Sequence, residues 1–231
     1  MKRHSNEISN FPLFLDVLKK FEELGFLDKF ILTGSWAYII YREVYDIPLP
    51  LLRTRDADFI IPGNEKFEEI NLIEILGEEG FDLDRKGDKG YMTFLNPSLN
   101  IEFLMHLKGR DRKRPRRIEE LNINVQSLRY LNLLEEYSEY VEFSDMEIRI
   151  PHPAAFLIQK MLIIHKRKQS KMERDIRQIE NLHLFLGNDK EFKKMFSIIY
   201  ENLLDGWKRT FRKNCKEYFD KETCNDLMDT R

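Results

Sequence analysis

The hydrophobic period changes once along this 231-residue chain, and that change constrains the fold more than any single motif does. Up to about residue 150, apolar residues recur at the helical spacing of three to four in some segments and at the strand spacing of two in others. Beyond it the spacing is almost continuously helical. Strands mixed with helices must form a sheet with helices packed against it, so the fold class expected is α/β (α+β), a mixed sheet with flanking helices, followed by a C-terminal helical domain. The division reads as 1–150 and 151–231, with Pro151 at the join.

Element by element, residues 11–24 place Phe14, Val17, Leu18, Phe21 and Leu24 on one helical face before Gly25. Residues 29–33 read as a short strand, 36–45 as a helix, and 56–61 as a strand stopped by Pro62-Gly63. A helix is expected over 66–79, strands over 91–95 and 100–107, a helix over 126–137, and a hairpin from 140–143 and 147–150. Helices follow near 153–167, 170–186, 189–204 and 206–219.

Charge and cysteine usage exclude several classes. Thirty-eight Lys and Arg against 40 Asp and Glu leave a formal net charge of −2, so any anion site must be local. The only cysteines, Cys215 and Cys224, read as free thiols, and the five histidines show no zinc spacing. Residues 1–10 lack the apolar segment of a secretory signal and no stretch is apolar enough to span a membrane, which makes the cytoplasm the expected location. Residues 108–117, with seven bases and one acid, read as an exposed loop. That loop is either a surface for RNA or a phosphorylated partner, or a solvated charge run.

The chemistry concentrates at three places. Asp56 and Asp58 fall at i and i+2 of a strand, hence on one face, where like charges either look into open water or share a hard cation such as Mg²⁺. Gly34-Ser35 ends one apolar strand and opens a helix, so it is either a phosphate-gripping turn or an ordinary serine cap. Glu102 lies among Leu99, Ile101, Phe103 and Leu104, and alternation lets it face solvent unless a partner or a metal holds it. Further on, Lys160 interrupts an apolar helix, so its cation either snorkels outward or points into a polar cleft. Lys171 and Asp175, at i and i+4, suit a surface ion pair equally well.

The succession ILTGS, DADFII and NIEFLM resembles the nucleotidyltransferase superfamily that includes DNA polymerase β. Residues 153–182 are similar to the helical segment of small bacterial nucleotidyltransferases, among them AbiE-type toxin relatives. The resemblance spans about residues 30–182 with gaps; the 20 residues between Ser35 and Asp56 exceed the common spacing. It implies that 1–150 is a catalytic core and that 151–231 closes its cleft. It further implies that Gly34 and Ser35 hold a nucleoside triphosphate, that Asp56, Asp58 and Glu102 bind Mg²⁺ (or Mn²⁺), and that Lys160, Arg167, Lys171 and Asp175 serve the nucleotide.

The activity so implied is metal-dependent transfer of a nucleoside monophosphate from an NTP, ATP among them, to an acceptor hydroxyl on RNA, a protein or a small molecule. A tRNA could meet the basic loop. By fold-level analogy alone, the toxin relatives imply a toxin-like role with an antitoxin partner. The alternative is a catalytically inactive module of the same fold that binds RNA or a protein.

Overall fold

The computed structural model describes residues 11–50, 54–86, 90–107 and 115–229. The chain divides into two compact units: Met1–Asp46 with Leu51–Ile150, and Ile47–Pro50 with Pro151–Arg231.

The first unit is built on a mixed sheet. Helix α1 (Pro12–Glu23) leads to β1 (Ile31–Thr33), α2 (Gly34–Val44) and β2 (Asp56–Ile60). After α3 (Leu72–Glu78) come β3 (Asp82–Lys86), β4 (Tyr91–Leu95) and β5 (Asn100–His106). The strands β6 (Arg116–Ile118) and β7 (Ile123–Leu128), helix α4 (Leu131–Glu136), and a hairpin of β8 (Ser138–Phe143) and β9 (Met146–Pro151) complete it. The path through the sheet is β1-β2-β5-β4-β3, with β7 joining β5 and β6 joining β7. Strand β5 runs parallel to β2 and β7 and antiparallel to β4.

Alternation along the central strands sorts their faces. Ala57, Phe59, Ile101 and Phe103 are buried on one side, while Asp56, Asp58 and Glu102 occupy the other. Under the buried side lies an aromatic cluster. Phe21 meets Phe59 edge-on at 5.2 Å, Phe30 meets Phe103 at 5.5 Å, and Phe26 stands 4.9 Å from Phe30. Rings of this size dominate core energetics through their buried area. At its far end, α2 is tied to the hairpin through the Tyr45 hydroxyl, which donates to Glu139.

Three expected elements differ. The helix expected over 66–79 shortens to α3, because the N–H groups of Ile70 and Leu72 donate to the carbonyls of Glu120 and Leu121 and Phe67 packs on Phe26 and Phe30. The helix expected over 126–137 is β7 followed by the short α4; in β7, buried and half-buried residues alternate. Residues 65–84, eight of them acidic, read in the sequence as the solvated face of a helix running into a turn; their end forms part of strand β3, which pairs with β4 at the edge of the sheet path, where charge is tolerated. Residues 108–114 of the basic loop lie outside the described residues, and 116–118 form β6.

The second unit holds α5 (Pro153–Ile163), a 3₁₀ turn (Ile164–Lys166), α6 (Gln169–Leu186), α7 (Lys190–Asn202), α8 (Asp205–Tyr218) and α9 (Lys221–Asp229), the last unforeseen in the sequence. Cys215 and Cys224 are buried free thiols. Among the described residues no helix is long and apolar enough to cross a membrane.

Helix α5 begins with Pro153 at its first position and His152 as its cap, the Ala154 N–H donating to Nδ1 of the ring. Burial pushes the His152 imidazole down from 6.5 to about 4, the Asp189 carboxylate opposing it. The unfolded chain therefore binds the extra proton between those values, so stability falls as pH drops from 6.5 towards 4, by on the order of 2–3 kcal/mol at most. His183 is shifted in the same direction, chiefly by burial, and adds to this slope. A His152→Asn variant keeps a capping acceptor without the titration. Urea unfolding between pH 4 and 7 should show a shallower loss of stability towards acid for this variant; an unchanged slope would remove His152 as its source.

Candidate active site

The register of β2 against its two neighbours builds the site. In the parallel pair β2–β5, Asp58 lies opposite Glu102 and Asp56 opposite Asn100. In the antiparallel pair β1–β2, Asp58 lies opposite Thr33. On the far side of β5, Thr93 faces Glu102, and Asp84 of β3 faces Thr93. Residues at one register position share a face, and neighbouring strands stand about 4.8 Å apart. Thr33, Asp58, Glu102, Thr93 and Asp84 thus form one polar row across five strands, with Asp56 one same-face step from Asp58.

Gly34 completes the arrangement. Its φ of +67° suits glycine, and a Cβ there would overlap Asp58 Oδ2. Helix α2 starts at Gly34, two residues earlier than expected, with Thr33 as the capping position and no side-chain cap bond. Ser35 is therefore not the cap; it sits half-buried in the first turn, beside N–H groups with no intrahelical acceptor.

The acidic side chains meet donors. Asn100 Nδ2 donates to Asp56 Oδ1 at 3.0 Å, and Thr93 Oγ1 donates to Glu102 Oε1 at 3.4 Å. Asp58 and Glu102 are half-buried and Asp56 is exposed. Among the described residues no three His, Cys, Asp or Glu side chains close on one point tightly enough to hold a metal ion alone. The donor set is all carboxylate, which suits a hard cation such as Mg²⁺; that ion commonly takes one or two protein carboxylates and completes its shell with water and substrate phosphates. The residues fit such an ion in that sense, as an open half-site and not a closed cage.

In the second unit, the residues singled out in the sequence assort differently. Lys160, 5% exposed, bonds Asp175 Oδ1 at 2.6 Å and lies over the Phe156 ring. Arg167 Nε reaches the other oxygen, Oδ2, at 2.9 Å, its side chain still one-third exposed. Two cations thus share one carboxylate. Lys160 thus neither snorkels nor stands alone, and Asp175 spans back to α5 instead of forming an i, i+4 pair with Lys171, which is exposed on α6.

Sequence reasoning did not single out Asn100 or Thr93. Asn100 was within reach, two residues before Glu102 on the same strand face; Thr93 becomes visible only once the β4–β5 register is known.

A nucleotidyltransferase family model matches residues 13–197, and the chain belongs to that family. No curated protein matches it in sequence. Solved structures similar to it include an antigenic nucleotidyltransferase-like protein from Paracoccidioides brasiliensis, 15% identical with a TM-score of 0.45, covering 87% of this chain and 92% of that one. The antibiotic-resistance factor ANT(2'')-Ia in solution is 11% identical with a TM-score of 0.46, covering 84% and 93%. The same protein in complex with adenylyl-2''-tobramycin is 10% identical with a TM-score of 0.47, covering 84% and 98%.

Both the positive φ and the contact with Asp58 bear on substitution at Gly34. A Gly34→Ala variant should lose about 1–2 kcal/mol of stability from the left-handed backbone and displace the Asp58 carboxylate. Denaturant unfolding that leaves the variant as stable as the parent would contradict the geometry.

Proposed function

We propose that this protein transfers a nucleoside monophosphate from a nucleoside triphosphate to an acceptor hydroxyl, releasing pyrophosphate. The observation that carries this reading is the in-register meeting of Asp58 with Glu102 on adjacent parallel strands, with the Gly34 backbone against the Asp58 carboxylate. Membership of the nucleotidyltransferase family supports it.

Gly34, Ser35 and the first N–H groups of α2 grip the phosphate tail, because unpaired donors at a helix start favour anions and a glycine lets the phosphate come close. Asp56, Asp58 and Glu102 would hold Mg²⁺ or Mn²⁺, which when bound offsets phosphate charge and stabilises the attacking and departing oxygens of an in-line displacement. Glu102 takes the proton of the acceptor hydroxyl as its oxygen bonds the α-phosphorus and the bond to the β-phosphate oxygen breaks. In the second unit, the Lys160–Asp175–Arg167 cluster presents the partly exposed Arg167 guanidinium, a fork suited to phosphate oxygens.

A catalytically inactive module of this fold has no need of three carboxylates on one sheet face. The two readings part on one variant. Asp58→Asn should abolish incorporation of label from α-labelled triphosphates while leaving stability within about 1 kcal/mol, since it removes a like charge from beside Asp56 and Glu102. Incorporation by this variant at the parent rate, or incorporation by the parent that chelator does not affect, would refute the assignment.

A further inference from the structure

Two polar side chains outside the implied machinery touch its carboxylates, and each does so from its own register position. Asn100 faces Asp56 across β2–β5 and donates to Oδ1 at 3.0 Å. Thr93 faces Glu102 across β4–β5 and donates to Oε1 at 3.4 Å. The pairing is therefore a property of the sheet and not of flexible side chains that happen to meet.

Strand formation calls for neither polar group, since a threonine suits a strand no better than a valine does. Thr93 is 2% exposed, a place where valine would fill the same space with no hydroxyl to satisfy. Asparagine is depleted in strands, yet Asn100 begins β5, its own N–H bonded to the Arg55 carbonyl at 2.6 Å. What the two share is the carboxylate each one holds. A carboxylate offers about four acceptor positions, so one donor restrains the side chain while leaving capacity for other partners. Carboxylates that ligate metals are themselves hydrogen-bonded as a rule, and losing such a partner lowers metal affinity or activity by about 10–100-fold.

We infer that Asn100 and Thr93 are positioning residues that hold Asp56 and Glu102 ready for the divalent cation and the nucleotide, an inference that rests on the active-site reading above. Asn100 acts on the exposed acid and Thr93 on the half-buried one, so both strands that carry the acids have a brace.

The test uses the full chain and Mn²⁺ alone, its binding followed by the electron paramagnetic resonance signal of the free ion, alongside thermal unfolding. Thr93→Val and Asn100→Leu remove the donors at near-constant volume and should each weaken Mn²⁺ binding about 10-fold, with little change in unfolding temperature. Thr93→Ser keeps a hydroxyl and should bind within about threefold of the parent, a rescue that a packing role would not produce. Both valine and leucine variants binding Mn²⁺ as the parent does would overturn the inference. Asp58→Asn is the control that separates the two levels. Loss of binding there with unaltered binding in the other variants sinks the positioning roles alone, whereas retained binding in Asp58→Asn sinks the metal site and the positioning roles with it.

Discussion

The parallel pairing of β2 with β5 is the constraint on which the rest of the structure depends. It sets Asp58 against Glu102 and, in the same stroke, Phe59 against Phe103. Because successive side chains point to opposite faces, a slip of one residue would turn the acids into the aromatic core and the phenylalanines out of it. The cluster of Phe21, Phe26, Phe30, Phe59 and Phe103 is thus more than a source of stability. By making a one-residue slip prohibitive, it keeps two like charges on the same face of neighbouring strands, an arrangement that a sheet would not adopt for its own sake.

Around that pairing the neighbouring elements each contribute one contact. Strand β1 ends at Thr33, opposite Asp58, and the turn into α2 is made by a residue whose lack of a side chain lets the backbone approach the carboxylate. Strand β4 brings Thr93 to Glu102. In the helical unit a different solution applies. A buried carboxylate, Asp175, is shared by a buried lysine and a partly exposed arginine, and the desolvation of three charges is offset by their mutual hydrogen bonds.

Much of this was legible in the sequence, for reasons that differ by element. The helix at 12–23 and the strands at 56–60, 91–95 and 100–106 follow their hydrophobic periods closely, because each buries one face and exposes the other. The meeting of Asp56 and Asp58 follows from spacing alone. The link to Glu102 does not: it came from a family resemblance, since nothing local says which strand pairs with which. Strand β3, Asp-Leu-Asp-Arg-Lys in sequence, was unreadable because an edge strand tolerates charges that would exclude it from the middle of a sheet. Strand β7 was obscured by the leucine-rich turn of helix that follows it. Lys160, Arg167 and Asp175 were picked out individually, but their sharing of one carboxylate depends on α5 and α6 packing together, which no spacing within either helix reveals.

The most direct test of the central claim is an anomalous-difference map from crystals grown with Mn²⁺ and a non-hydrolysable nucleoside triphosphate analogue. The account predicts manganese peaks about 2.0–2.3 Å from carboxylate oxygens of Asp56, Asp58 and Glu102, with the triphosphate against Gly34 and Ser35. Manganese bound elsewhere, with Glu102 turned away from both aspartates, would contradict it.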